Sequence, residues 1–160
     1  MQKPLVALLY LMLFLFSSGC LAEGLIFGAK AGPMQVDTPN VDDPLNAGVN
    51  IGYEVGIGFG DLGFEGEFTT TVKEGELDSV KFNIDTGAVY LTYRSPGFVY
   101  FKGRAGYLGW DADFSLNGKD DGNSTSYGLG LGFSLKVIKL ELEYTQIEEN
   151  VDFISLGILF

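Results

Sequence analysis

From Leu25 to the C-terminus the chain keeps returning to one pattern, an apolar side chain at every second position with glycine or a polar residue between. The clearest stretch sets Val49, Ile51, Tyr53, Val55, Ile57 and Phe59 against Asn50, Gly52, Glu54, Gly56 and Gly58. A period of two places alternate residues on opposite faces, so each such stretch predicts a strand with one apolar face. Leu62, Phe64, Phe68 and Val72 oppose Gly63, Glu65, Glu67, Thr69 and Thr71 in the next. Tyr127 to Leu135, Ile138 to Tyr144 and Ile154 to Phe160 repeat the pattern. Less regular strands are predicted over about 25–36, 79–94 and 97–111, which brings the number to eight. Within 79–94 the apolar parity changes, from Phe82 and Ile84 to Val89, Leu91 and Tyr93, and this predicts a bulge near Asp85–Gly87.

The connections alternate in length. Gly60-Asp61, Ser95-Pro96-Gly97 and 136–138 read as tight turns, whereas Thr38–Asn46 and Ser115–Thr125 are long and polar. The turn at Lys136–Lys139 lacks the Gly, Asn or Asp that supplies a positive φ. All the tight turns fall at the end that holds both termini, the asymmetry of an outer-membrane barrel with short periplasmic turns and longer extracellular loops. Phe27, Phe59, Tyr93, Phe101 and Phe160 recur near that same end of successive apolar faces, as an interfacial aromatic girdle would. The expected fold is all-β: an eight-stranded antiparallel up-and-down transmembrane β-barrel, apolar face outward.

The segment before the first strand fits export. Lys3 precedes an apolar run of 12 residues, Leu5–Phe16, and small residues then lead to Glu23. A spanning helix needs about 20 apolar residues, so this run matches a signal peptide, residues 1–22, removed after Ala22 to leave a barrel domain of 23–160. Gly19-Cys20 also permits a lipoprotein signal in which Cys20 is acylated, although Ser17 stands where such signals carry a larger apolar residue.

Composition narrows the chemistry. The chain of 160 residues has 21 acids against 10 bases, and its net charge of −11 argues against a nucleic-acid partner. It contains no His, which removes Ser/His/Asp and Cys/His relays and the commonest nitrogen ligand of zinc and haem. No cofactor or metal site is expected, and one Cys cannot form an internal disulfide.

In Leu25–Gly32, Phe64–Phe68, Lys102–Tyr107, Leu140–Tyr144 and the closing Ile154–Phe160, the chain resembles the OmpA/OmpX-like small outer-membrane barrel family. That resemblance implies a cell outer membrane location, contact with outer-membrane lipid and lipopolysaccharide, and insertion by the barrel assembly machinery, which recognises a final strand ending in an aromatic such as Phe160. Nothing follows Phe160, so the periplasmic peptidoglycan-binding domain of full-length OmpA is not expected. A monomer is expected.

Strand parity also predicts the lumen. Lys30, Lys102, Arg104, Lys136 and Lys139 point inward against Glu54, Glu65, Glu67, Glu141 and Glu143. Eight strands enclose a space that side chains can fill, so these charges predict a closed, salt-bridged plug. The alternative is a narrow gated pore that opens when Arg104 rearranges with Glu54 or Glu143. Most of the remaining acids gather in loops: Asp37, Asp42 and Asp43; Glu74, Glu76 and Asp78; Asp111, Asp113, Asp120 and Asp121; Glu148, Glu149 and Asp152. They read as a solvated, mutually repulsive rim. A sharper reading gives the third loop, Asp111–Asn123, a Ca²⁺ or Mg²⁺ ion, without the spacing of an EF-hand. The expected function is that of a non-enzymatic envelope or surface-interaction protein. A lipid A-modifying enzyme or omptin-like protease would call for an active-site His, and a soluble or lipidated barrel binding an apolar ligand remains the third class.

Overall fold

A computed structural model describes residues 24–39, 41–77, 79–115 and 118–160. The leader expected over residues 1–22, with Cys20, lies outside them, as does Asp78. Ten strands follow in order: β1 (Leu25–Val36), β2 (Val41–Asp42), β3 (Leu45–Gly56), β4 (Asp61–Lys73), β5 (Gly75–Leu77), β6 (Val80–Arg94), β7 (Val99–Phe114), β8 (Gly118–Leu135), β9 (Ile138–Glu148) and β10 (Val151–Leu159). Eight of them close a ring in which β6, β4, β3, β1, β10, β9, β8 and β7 are neighbours and β7 returns to β6. The first and last strands form the seam, from Gly28 opposite Leu159 to Val36 opposite Val151. Phe27 and Phe160 extend it by exchanging backbone hydrogen bonds of 3.2 and 2.9 Å. Closure leaves none of these eight strands, over the described residues, with the open edge that a bilayer would penalise.

The two short strands are additions at the loop end, where β2 pairs with β5 and β5 with the start of β6. The expected bulge near Asp85–Gly87 is absent. β6 and β7 stay in register from Phe82 opposite Phe114 to Arg94 opposite Lys102, and even-numbered β6 residues point inward throughout. What changes along β6 is the chemistry of the lumen: Phe82 and Ile84 point into an apolar layer, while Val89 and Leu91 face outward. The expected third loop is also corrected. β7 and β8 pair as far as Phe114 opposite Gly118, so most of Ser115–Thr125 is strand, its polar composition reflecting a ribbon that faces water. Glu149 and Asn150 alone separate β9 from β10, so the length asymmetry fails at that connection. The turn after β8 forms with Lys136 itself at φ 50°.

Apolar side chains cover the outside. Phe64 and Leu129 are each 72% exposed and Leu156 is 65% exposed, with Val49, Ile51, Val89 and Leu142 in the same band. A soluble barrel would turn these side chains inward, and water would penalise so large an apolar surface. At the turn end, Phe27 stacks on Phe160 with ring centroids 5.7 Å apart, Phe59 lies 6.4 Å from Tyr93, and Phe98 meets Phe133 edge-on at 6.1 Å.

The inside is layered. Toward the loops, Met34, Phe82, Ile84, Leu108, Ile147 and Phe153 form an apolar cluster with Tyr90. Toward the turns the inward positions are charged. The two outward-facing environments predict different tolerances: Leu142→Arg, in the apolar band, should cost about 2–4 kcal/mol, and Asn123→Arg, on the water-facing ribbon, about 0–1 kcal/mol. Urea unfolding of the refolded barrel in lipid vesicles measures both.

Candidate functional site

Inward alternation along six strands delivers the charged residues to one zone of the lumen. β1 supplies Lys30, β3 Glu54, β4 Glu65 and Glu67, β6 Arg94, β7 Lys102 and Arg104, and β9 Lys139, Glu141 and Glu143. Arg94, 1% exposed, sits at the centre of the turn-side half. Its guanidinium pairs with Glu54, with Glu65 at 2.6 Å and through Nε with Glu141 at 2.6 Å. Lys102 joins Glu65, Glu141 and Glu143 at 3.3, 2.9 and 2.8 Å. Arg104 holds Glu67 at 2.6 Å and Glu143 at 2.9 Å, and Lys30 reaches the same two carboxylates at 2.6 and 2.7 Å. Lys139 reaches Glu54 at 2.7 Å. These contacts connect five cations and five carboxylates into one network.

Glycine makes the network possible. On β8 the inward positions are Gly128, Gly130 and Gly132, and each lies between a β7 residue and a β9 residue that meet across it. The Tyr100 hydroxyl donates to Glu141 at 2.8 Å over Gly132, Lys102 pairs with Glu143 at 2.8 Å over Gly130, and Arg104 donates to Thr145 Oγ1 at 2.7 Å over Gly128. A Cβ at Gly132 would collide with the hydroxyl end of the Tyr100 ring, and one at Gly128 would lie 2.9 Å from Arg104. Where the ionic and apolar layers meet, two aromatics lie against cations. The Arg104 guanidinium is 3.9 Å from the Tyr90 ring centroid, and Lys30 Nζ is 5.4 Å from that of Phe153. Tyr90 is itself held by a 3.1 Å hydrogen bond between its hydroxyl and Ser126.

Of the ten charges expected inward, nine lie in this network and Lys136 does not. Strand parity stops at Leu135, and Lys136 occupies the turn, exposed and without an ion pair among the described residues. The expected contact of Arg104 with Glu143 is present, whereas Glu54 lies one layer nearer the turns, with Arg94 and Lys139. Arg94 takes the place given to Lys136. Its signal was available in Tyr90, Thr92 and Arg94, which share a parity opposite to Val89, Leu91 and Tyr93, but Arg94 abuts the Ser95-Pro96-Gly97 turn. Each carboxylate here sits on one or more cations, an arrangement that links strands and fills space.

The loop-side acids are dispersed. Lys81 pairs with Glu74 at 2.9 Å and Lys119 with Asp113 at 2.8 Å, both in the open. The hydrogen bond to Glu74 raises the Lys81 ammonium above the ordinary lysine value, and Asp113 does the same for Lys119. Among the described residues no three acidic or other ligating side chains gather around a common point, so the acids of Asp111–Asn123 make no metal cage. They lie along two paired strands, with Asp111 directly opposite Asp121.

Residues 8–156 match the family model described as outer membrane protein beta-barrel domain. No curated protein sequence matches significantly. Among solved structures, the chain is similar to the Neisserial surface protein A, at TM-score 0.65 and 18% identity over 85% of this chain and 96% of that one. The attachment invasion locus protein Ail of Yersinia pestis gives TM-score 0.55 and 19% identity over 86% and 97%. The N-terminal barrel of Pseudomonas aeruginosa OprF gives 0.54 and 16% over 84% and 96%. At such identities the likeness is one of fold.

Arg94→Ala leaves three carboxylates short of a cation and should cost about 3–5 kcal/mol, against under about 0.5 kcal/mol for Lys136→Ala, by equilibrium unfolding in vesicles. Gly132→Ala should cost about 1–3 kcal/mol by driving Tyr100 off its carboxylate, and Tyr100→Ala in the same chain should recover part of that loss.

Proposed function

The chain belongs to the family of outer membrane protein β-barrel domains, and on that premise we propose that it is a non-enzymatic anchor with a closed lumen and an acidic surface displayed by its loops. It is an integral protein of the cell outer membrane, and its apolar band meets lipid. The observation that carries the closed-lumen reading is the continuous ion-pair network across the barrel, with an apolar layer stacked on its loop side. An ion crossing from the loops would first leave water among Met34, Leu108 and Phe153 and then displace paired charges.

The remaining assignments follow from position. Residues 1–22 serve as the export signal. Phe160, whose ring stacks on Phe27 and whose backbone completes the seam, serves the barrel assembly machinery as the terminal signal. The barrel works as a monomer. Its loop acids, solvated and repulsive, suit envelope stability or surface contact and stand beside the anionic lipopolysaccharide.

Recording from purified protein in planar bilayers tests the lumen. The wild type should give no unit conductance steps, and Arg104→Ala should give none either, because the apolar layer above it stays in place. Reproducible wild-type steps would overturn the closed-lumen reading.

A further inference from the structure

The apolar layer is not packed to its top. Between it and the loops lies a cup of about 350 Å³, walled by Phe82, Ile84, Trp110, Phe114, Ile147 and Val151. Its size falls at the lower end of ligand sites, which combine apolar walls with a few convergent polar groups. The polar groups are at hand: Thr38, Asp120, Glu148 and Asn150 line it, and no lysine or arginine does. Glu148 is positioned, because the Trp110 indole Nε1–H donates to its Oε2 at 2.9 Å, which fixes a carboxylate beside an aromatic wall.

The charge around the cup selects among occupants. The loop end carries Asp37, Asp42, Asp43, Glu76, Glu149 and Asp152 as further acids; of its bases, Lys81 and Lys119 are taken by Glu74 and Asp113, and Lys73, exposed at the end of β4, does not line the cup. An anionic amphiphile would bring its head into a field of its own sign, and a neutral one would gain only hydrogen bonds from the carboxylates, with no charge attraction. An ammonium head gains from them and from the aromatic wall, while its alkyl or aryl body fills the apolar cavity. We propose that the loop-end cup is a binding site for a small amphiphilic cation, an ammonium group on an apolar body of about the cup's volume. The site lies above the ion-pair network and does not depend on whether the lumen below it conducts.

Trp110 is the chain's one tryptophan and forms part of the cup wall, so its fluorescence reports occupancy directly. The refolded barrel in nanodiscs of zwitterionic phosphatidylcholine would be titrated with octyltrimethylammonium, octyl sulfate and octyl maltoside, each below its micellar concentration. The expected result is a saturable change in Trp110 emission for the cation, with affinity about tenfold or more above that for the sulfate and weakened by salt. Glu148→Gln with Asp120→Asn, which keeps an acceptor for the indole, should reduce the preference for the cation over the sulfate about tenfold. Val36→Phe, placing a ring into the cup, should abolish saturation while the heat-modifiable gel shift still reports a folded barrel. A linear, unsaturable response to all three probes, equal affinity for cation and sulfate, or a cation preference unchanged in the double neutral variant would each overturn the proposal. Should Val36→Phe fail to fold, the rim variant and the three-probe comparison still decide it.

Discussion

The lumen of an eight-stranded barrel is too narrow to hydrate a row of charges, so each ionised side chain pointing into it has to find its partner among the other side chains there. This chain turns five cations and five carboxylates inward, and they meet in a single set of contacts from Lys139 at the turn end to Glu67 and Arg104 beneath the aromatic boundary. Pairing at that density couples strands that are not neighbours. Arg94 on β6 reaches carboxylates on β3, β4 and β9. The backbone ladder closes the ring by hydrogen bonds between adjacent strands, and the charges tie it across its diameter.

Space for those ties comes from residues with no side chain. Three inward glycines on β8 allow β7 and β9 to make contact over the strand between them, so the glycine content and the charge pairing are two aspects of one arrangement. The outer surface obeys the opposite demand: valine, leucine, isoleucine and phenylalanine there are exposed because their solvent is hydrocarbon. Toward the loops the inward face becomes apolar as well, and charge reappears beyond it as a rim of acids. Removal of Lys3 with the leader would leave a net charge of −12, and the balanced network leaves that figure unchanged. The acidity therefore belongs to the parts of the chain outside the network.

Period-two alternation made the strands legible, because β-sheet geometry turns parity into sidedness with no knowledge of the fold. The same rule identified Lys30, Glu54, Glu65, Glu67, Lys102, Arg104, Lys139, Glu141 and Glu143 as inward. It failed where a strand gives way to a turn: Lys136 continues the parity of β8 on paper but sits past its end, and Arg94 looks like a turn residue while still belonging to β6. Phe82 and Ile84 were misread for a different reason. Apolar residues point outward along most of this barrel, so two that point inward mimic a register slip. The polar stretch Gly118–Thr125 reads as a loop because its outward face meets water and its inward face carries Asp120, Gly122 and Ser124, so the apolar alternation that marks a strand is missing.

The inward charges act as one interdependent set. A double-mutant cycle between Arg94→Met and Glu65→Gln, read by equilibrium unfolding of the barrel in lipid vesicles, tests it most directly. The double variant should lose less stability than the two single losses added together, with a coupling of at least about 1 kcal/mol. Losses that add to within about 0.3 kcal/mol would mean that the two groups contribute separately, and would contradict it.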